Sequence, residues 1–420
     1  MRIHGLRTTA LCAVATLLAT AGCSGGPAKK NELKLYNDKN AWTPFFNDLG
    51  ALSKQQTGLS IKPVGYSDER AYDAFITASF RTKIKPDLFT WQTGSKLKDI
   101  VNLKQVADTS AIWQQAIKNG DLSEDVEKYF TIGGKQYCVP TNVAYWGMFY
   151  NKRIFAKYGL KPPATWNDLI KVADTLKQHG QKAFFTQSTP NLFTFTWFQQ
   201  LLAGSDPALY DRLSTGQAKY TDPGVVAVMT RWKSMMDAGY FSDPADTSDP
   251  ADVFKSGKAA MVNYGTFFAT SLTQRGMKPG SDYGFFVIPS VTPLAKTPLI
   301  FETGPLCSLN KAADPAANKK FLSWWVTPAA QEKWSASRGD VSANPRVKVS
   351  NPEFAPVSKD AGTGKYQLVQ RYFEATPAPI LAAALDGFSG FLAEPGSYMK
   401  VLQTIQKAAD GYWSEHKTGS

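Results

Sequence analysis

The chain holds few of the side chains that carry out covalent chemistry. Its three histidines are His4 near the N-terminus, His179 at the end of an expected helix and His416 in the C-terminal tail. They give a histidine-based zinc site or a Ser-His-Asp triad little to build on. No Gly-x-Ser-x-Gly occurs. Gly362-Thr-Gly-Lys365 has the composition of a phosphate loop, but Tyr366 follows and the upstream glycine is missing, so it reads as a surface turn. Carboxylates are plentiful. An acid/base pair is defined by the separation of its two carboxyl groups, which a sequence does not give. The chain does carry aromatics crowded beside hydrogen-bonding groups. Residues 141–152 read T-N-V-A-Y-W-G-M-F-Y-N-K. A buried strand would use these rings for packing, and a binding cleft would use them to cover the apolar face of a ligand.

The elements that must position such groups alternate in type. Strands are expected at Asn31–Asn37, Ser60–Tyr66 and Pro86–Trp91, with helices between them, including Ala71 to Arg81. Strand–helix alternation argues for a parallel-type α/β sheet. Thr165 can cap a helix from Trp166 to His179, ended by Gly180. Asp222-Pro223, Asp314-Pro315 and Thr327-Pro328 are further helix starts. The helix opened by Asp222-Pro223 should bury Val225, Val228, Met229, Trp232 and Met236. Phe321, Trp324, Trp325 and Trp334 recur at helical spacing and read as core. More strands are expected at Gly180–Gln187, Ala259–Tyr264, Tyr283–Pro289 and around Pro305–Leu309. Leu381 to Trp413 reads as helix broken near Glu394-Pro395-Gly396.

The ends and the charge narrow the class. Arg2 and Arg7 precede an apolar run from Thr8 to Ala19, too short to remain as a membrane span. Thr20-Ala21-Gly22-Cys23 resembles a bacterial lipobox, with Thr20 where leucine is usual. Residues 1–22 then form a lipoprotein signal peptide, Cys23 is the lipidation site, and 23–31 are anchor and tether. The formal net charge is +12, but no Lys/Arg cluster of five or more appears. The basic excess therefore reads as a solvated surface rather than a nucleic-acid footprint. Cys12 lies in the leader. Cys138 and Cys307 remain, either paired in an oxidising compartment or buried as free thiols.

Several stretches line up in order with one family. Lys85-Pro-Asp-Leu-Phe-Thr-Trp91, Ile132-Gly-Gly-Lys-Gln-Tyr-Cys-Val-Pro140, Met148-Phe-Tyr-Asn-Lys152, Pro163-Ala-Thr-Trp-Asn-Asp-Leu169 and Phe254-Lys-Ser-Gly-Lys-Ala-Ala-Met261 carry the likeness. The chain resembles an extracellular solute-binding protein of a bacterial ABC importer, in the sugar-binding cluster that includes maltose-binding protein. The resemblance implies an α/β fold of two lobes around a ligand cleft, joined by a hinge of crossover strands. It places lobe 1 at 32–140 plus 303–343 and lobe 2 at 141–302 plus 344–420. Crossovers are expected near Pro140, Thr303–Ser308 and Asn344. Cys138 and Cys307 would then lie on neighbouring crossover strands, where a disulfide would staple the hinge.

The same resemblance implies site residues. Asn37, Asp38 and Lys39 match the family's polar sugar contact, with Trp42 after them. Tyr66 ends the second expected strand, and Trp91-Gln92 ends the third. The family's acidic contact after the first crossover falls at Ala144, beside Tyr145 and Trp146. Trp197 matches a family tryptophan, Phe267 falls where a stacking tryptophan is common, and Glu302, Arg338 and Asp386 occupy expected cleft loops. The Asn142–Trp146 stretch should then face ligand, and Met148–Lys152 should pack as a strand. The implied function is capture of a mono- or oligosaccharide for a membrane permease, by a lipid-anchored monomer on the extracytoplasmic face of the cell membrane. Neither catalysis, metal nor cofactor is expected. The alternatives are a receptor for another polar solute such as a sugar phosphate, a secreted glycoside hydrolase, or a surface adhesin.

Overall fold

The computed structural model describes residues 31–82 and 85–416. The lipidation site expected at Cys23 lies outside them. The strands, in chain order, are β1 (Glu32–Asn37), β2 (Ser60–Gly65), β3 (Leu88–Thr90), β4 (Thr131–Ile132), β5 (Lys135–Gln136), β6 (Val139–Pro140), β7 (Ala144–Asn151), β8 (Lys182–Phe184), β9 (Ala259–Gly265), β10 (Tyr283–Phe286), β11 (Pro298–Glu302), β12 (Pro305–Ser308) and β13 (Gln367–Gln370). One sheet has the order β2-β1-β3-β12-β6 and a second has β13-β11-β7-β9-β8, with β10 also on β7; β4 and β5 form a small hairpin.

The parallel-type sheet expected from the alternation is only part of the picture. β1 pairs with β2 and β3 in parallel, but β12 runs antiparallel to both β3 and β6. In the second sheet β7 is antiparallel to β9, β10 and β11, while β8–β9 and β11–β13 are parallel. The chain passes between the two sheets twice through very short links. It leaves the first sheet after Pro140 and enters the second at Ala144, then leaves after Glu302 and re-enters the first at Pro305.

Strand β7 explains the aromatic run. All eight of its residues are buried. Tyr145 and Phe149 face one hydrophobic cluster, and Trp146, Met148 and Tyr150 face the other. A strand covered on both faces reads as an unbroken apolar run rather than an alternation. Gly147 makes room within it: a Cβ there would stand 2.6 Å from the Phe285 ring. Helices flank both sheets. Thr165 caps Trp166–Gln178 by accepting from the Asp168 amide, and Asp314 caps Pro315–Trp325 by accepting from Ala317. The helix Pro223–Asp237 buries Met235; Met236, expected inward, is only half-buried. Trp325 and Trp334 pack with Phe46 in the first core. Cys138, in the link leading into β6, and Cys307, on β12, form a disulfide.

Candidate functional site

A cavity of about 530 Å³, lined by rings and charged groups, lies where the two sheets face each other. One wall comes from the C-terminal ends of the parallel strands of the first sheet, the usual ligand side of such sheets. After β1 come Asp38, Lys39, Ala41, Trp42 and Phe45; after β2, Ser67 and Glu69; after β3, Trp91 and Gln92. The opposite wall carries Leu192, Phe193, Phe267, Thr270, Ser271, Gln274, Arg371, Phe373 and Glu374. The floor is made by the links between sheets, with Asn142, Glu302, Thr303 and Gly304, and by Arg338 at the end of helix Pro328–Arg338.

Local hydrogen bonds hold each wall. Asn37 is fully buried and accepts from the Lys39 amide at 3.2 Å. The Thr90 hydroxyl donates to Asp38 Oδ1 at 2.7 Å and accepts from the Asp38 amide at 3.1 Å. β3 therefore fixes the loop after β1. Lys96 Nζ holds Glu69 at 2.7 Å and Asp73 at 2.8 Å, and Gln92 Nε2 donates to the same Glu69 oxygen at 2.7 Å. Trp91 is pinned by its indole N–H on the Lys96 carbonyl, 3.0 Å away.

Each cation that lines the cavity is engaged by a carboxylate. Lys39 pairs with Asp38 at 2.8 Å. Arg338, 3% exposed, pairs with the fully buried Asp340 at 3.0 Å and lies 4.1 Å from the Trp42 ring centroid. Asp340 also accepts from Thr266 at 2.7 Å and from the Val341 amide at 2.8 Å. Arg371 bridges two acids. It contacts Glu302 and grips Glu374 with Nε at 2.8 Å and with Nη2. Trp146 donates its indole N–H to Glu302 at 3.1 Å, and the guanidinium sits 5.4 Å from the Trp146 ring. Burial pushes the Glu302 carboxyl above the ordinary carboxylate range, with Arg371 pulling the other way. Burying two acids around one base is costly unless every oxygen is occupied, and here both acids direct oxygens at the one guanidinium.

Eight of the residues expected at a site line this cavity: Asp38, Lys39, Trp42, Trp91, Gln92, Phe267, Glu302 and Arg338. Six do not. Asn37 lies beneath its loop. Tyr66 packs into a ring cluster with Tyr36, Tyr72 and Phe75. Tyr145 and Trp146, expected from the resemblance to face ligand, are inner residues of β7 instead. Tyr145 is 8% exposed and packs on the far face. Trp146 is 1% exposed, stacked on Tyr264, and acts from behind the wall through Glu302. Trp197 is core, edge-on to Phe184 and Phe241. Asp386 is exposed and accepts from Asn191 at 2.7 Å.

The reading missed the segment after β13, Arg371-Tyr-Phe-Glu374, which supplies a cation, a ring and an acid to one wall. Its signal was weaker than that after β1: a four-residue stretch, Gln367-Leu-Val-Gln370, with no apolar/polar alternation, followed at once by charged and aromatic residues. Also missed were Phe45, Glu69 and the polar face Thr270, Ser271 and Gln274 of the helix Phe268–Gln274.

The arrangement is one that can bind a ligand. Its rings present apolar faces, its carboxylates and amides ring them, and its two central glutamates are spent on Arg371. Among the described residues no group of histidine, cysteine, aspartate or glutamate is placed to hold a metal ion.

Comparison with known proteins agrees with this picture. Residues 50–361 match the family described as bacterial extracellular solute-binding protein. An ABC transporter extracellular-binding protein of Pyrococcus horikoshii is 27% identical over 342 residues, 77% of this chain and 72% of that protein. The multiple sugar-binding protein of Streptococcus mutans is 25% identical over 298 residues, 67% of each. In fold, the chain superposes on the bacterial solute receptor AcbH, described as preferring β-D-galactopyranose. The TM-score is 0.76 and the identity 20%, covering 91% of this chain and all of that one.

Proposed function

This chain belongs to the bacterial extracellular solute-binding protein family, and from that premise we propose that it captures a mono- or oligosaccharide in the cavity between its sheets and delivers it to an ABC permease. One observation carries the reading: rings from both walls, Trp42, Phe45 and Trp91 against Phe193, Phe267 and Phe373, enclose a space edged by hydrogen-bonding groups. A pyranose has an apolar C–H face and a rim of hydroxyls, and this lining complements both. The volume of about 530 Å³ falls inside the roughly 300–1,000 Å³ range of small-ligand sites. The Streptococcus relative named for sugar binding and the galactose-preferring neighbour support the same class.

A sugar phosphate fits less well. Recognition of a phosphate calls for cations free to form charge-assisted bonds, and Lys39, Arg338 and Arg371 are already paired. In this proposal the chain is a monomer tethered through a lipid on Cys23 to the extracytoplasmic face of the cell membrane.

A thermal-shift screen against neutral mono- and oligosaccharides, with product analysis in parallel, tests the function. A cognate sugar at a thousand times its Kd should stabilise by about 4 kcal/mol and be recovered intact. Cleaved products would make the chain a hydrolase. Stabilisation only by phosphorylated sugars would overturn the ligand class. Release of a Cys23→Ser chain into the medium checks the anchor.

A further inference from the structure

Two loops carry much of the cavity lining on opposite walls, and they touch. The loop after β3 presents Trp91 and Gln92 to the cavity and continues into Thr93 and Gly94. The loop after β13 presents Arg371, Phe373 and Glu374. Between them Gln370 Nε2 donates to Thr93 Oγ1 at 3.0 Å. Beside that bond Gly94 lies against the main chain of Glu374 so closely that a Cβ would stand 1.8 Å from the carbonyl oxygen and 2.8 Å from its carbon.

We infer that Gly94 is a specificity-determining position: its missing side chain sets how closely the two binding loops approach, and so the length of saccharide the cavity holds. The inference rests on the saccharide reading for the nature of the ligand, but not for the contact itself. The obstacle to any side chain is backbone, so no rotamer change relieves it. Nor is the opposing loop free to yield. The Glu374 side chain is 5% exposed and clamped by Arg371, and its amide donates to the Arg371 carbonyl at 3.1 Å. A carbon rests against a carbonyl oxygen at roughly 3.3 Å or more. Added to the present contact, one methyl group therefore drives the loops apart by about 1.5 Å. Gly94 also has φ +72° and ψ −140°, a conformation adopted almost only by glycine. Alanine there brings a local strain that must be separated from the effect on closure.

The test uses Gly94→Ala and, as a partner that adds no strain, Gln370→Ala. Affinities are measured for the saccharides that bind wild type, sorted by ring number, together with melting of the unliganded protein. The distance between spin labels on cysteines placed at the exposed Lys62 and Lys177, one on each lobe, is measured with and without ligand. Gly94→Ala should bind the shortest wild-type ligand at least tenfold more weakly and lose less affinity for longer ones. It should also lack the shortest label distances. Gln370→Ala should weaken binding in the same order of ligands, by a smaller factor. Lower melting with unchanged affinities and unchanged distances would mean strain alone and would overturn the inference. A wild-type chain that binds no saccharide overturns the saccharide reading instead. The label distances, measured without ligand, then decide the role of Gly94.

Discussion

Replacing Arg371 by methionine keeps much of the side-chain volume and removes the charge that holds two acids. Glu302 and Glu374 have side-chain exposures of 15% and 5%, so neither regains full hydration when the guanidinium goes. Breaking a buried pair by deleting one partner costs about 3–5 kcal/mol. The partial exposure of Glu302 and Arg371 places the expected loss near the lower figure, about 3 kcal/mol. The loss should depend on pH, and its sign follows from burial. The folded-state pKa of Glu302 is raised above its ordinary value of 4.5, so the fold binds a proton that the unfolded chain has released. The stability from that proton is fully present below the ordinary value and disappears as pH rises through the raised one. Removing Arg371 takes away the largest attraction opposing the shift, so the raised value moves higher still. Each such proton contributes a slope of up to about 1.4 kcal/mol per pH unit. The difference between variant and wild type should therefore be wide at about pH 8 and narrow at about pH 5. Urea unfolding followed by tryptophan emission measures it, and Trp146 lies 5.4 Å from the guanidinium. A difference under about 1 kcal/mol at both pH values is what an exposed pair would give, and it would refute the account of a buried clamp. Adding Glu302→Gln and Glu374→Gln to Arg371→Met should recover most of the stability and flatten the pH dependence.

Two further outcomes separate recognition from packing. Phe373→Ala removes a half-buried ring of the cavity wall and should weaken the best saccharide about tenfold with a small change in stability, whereas Trp197→Ala opens a hole in the core and should cost about 3–5 kcal/mol in urea unfolding. Equal affinity losses in the two variants would remove the distinction between wall and core. The Cys138–Cys307 disulfide closes a separation of 169 residues, for which loop entropy gives at most about 5 kcal/mol. The double Cys→Ala chain should unfold about 2–5 kcal/mol more easily and, because the bond lies away from the cavity lining, bind sugar within threefold of wild type by calorimetry.

The parts of this site that were legible in the sequence share a local grammar. Asp38, Lys39 and Trp42 follow a strand whose alternation is visible in Glu32–Asn37, and Trp91-Gln92 follows Leu88–Thr90. A reader who finds the strand has found its loop. Tyr145, Trp146 and Trp197 were misplaced for the opposite reason. An aromatic in a strand covered on both faces, or in a helix buried nearly all round as Thr196–Ser205 is, where even Gln199 and Gln200 are buried, has no solvent-facing polar neighbour to show which way it points. Arg371, Phe373 and Glu374 obey the same grammar as Asp38 and Lys39. They reach the cavity only because β13 pairs with β11 in parallel, Pro298 opposite Gln367. That pairing joins segments far apart in the chain, and nothing local announces it.

Ala144 shows how far a residue-by-residue resemblance can be carried. The family pattern calls for an acid there, and its absence suggested that Tyr145 and Trp146 take over the contact. In the fold, Ala144 is paired directly opposite Glu302. Side chains opposite each other on antiparallel strands start only about 4.5–5.5 Å apart, so a carboxylate on either strand serves nearly the same space. Glu302 of β11 places a carboxylate at the cavity floor on the strand opposite Ala144. On β11 the acid is the last residue before the Thr303-Gly304 link back to the first sheet, and it is tied to Trp146 of β7 and to Arg371 beyond β13. One side chain thus joins three strands of the second sheet where the chain leaves for the first.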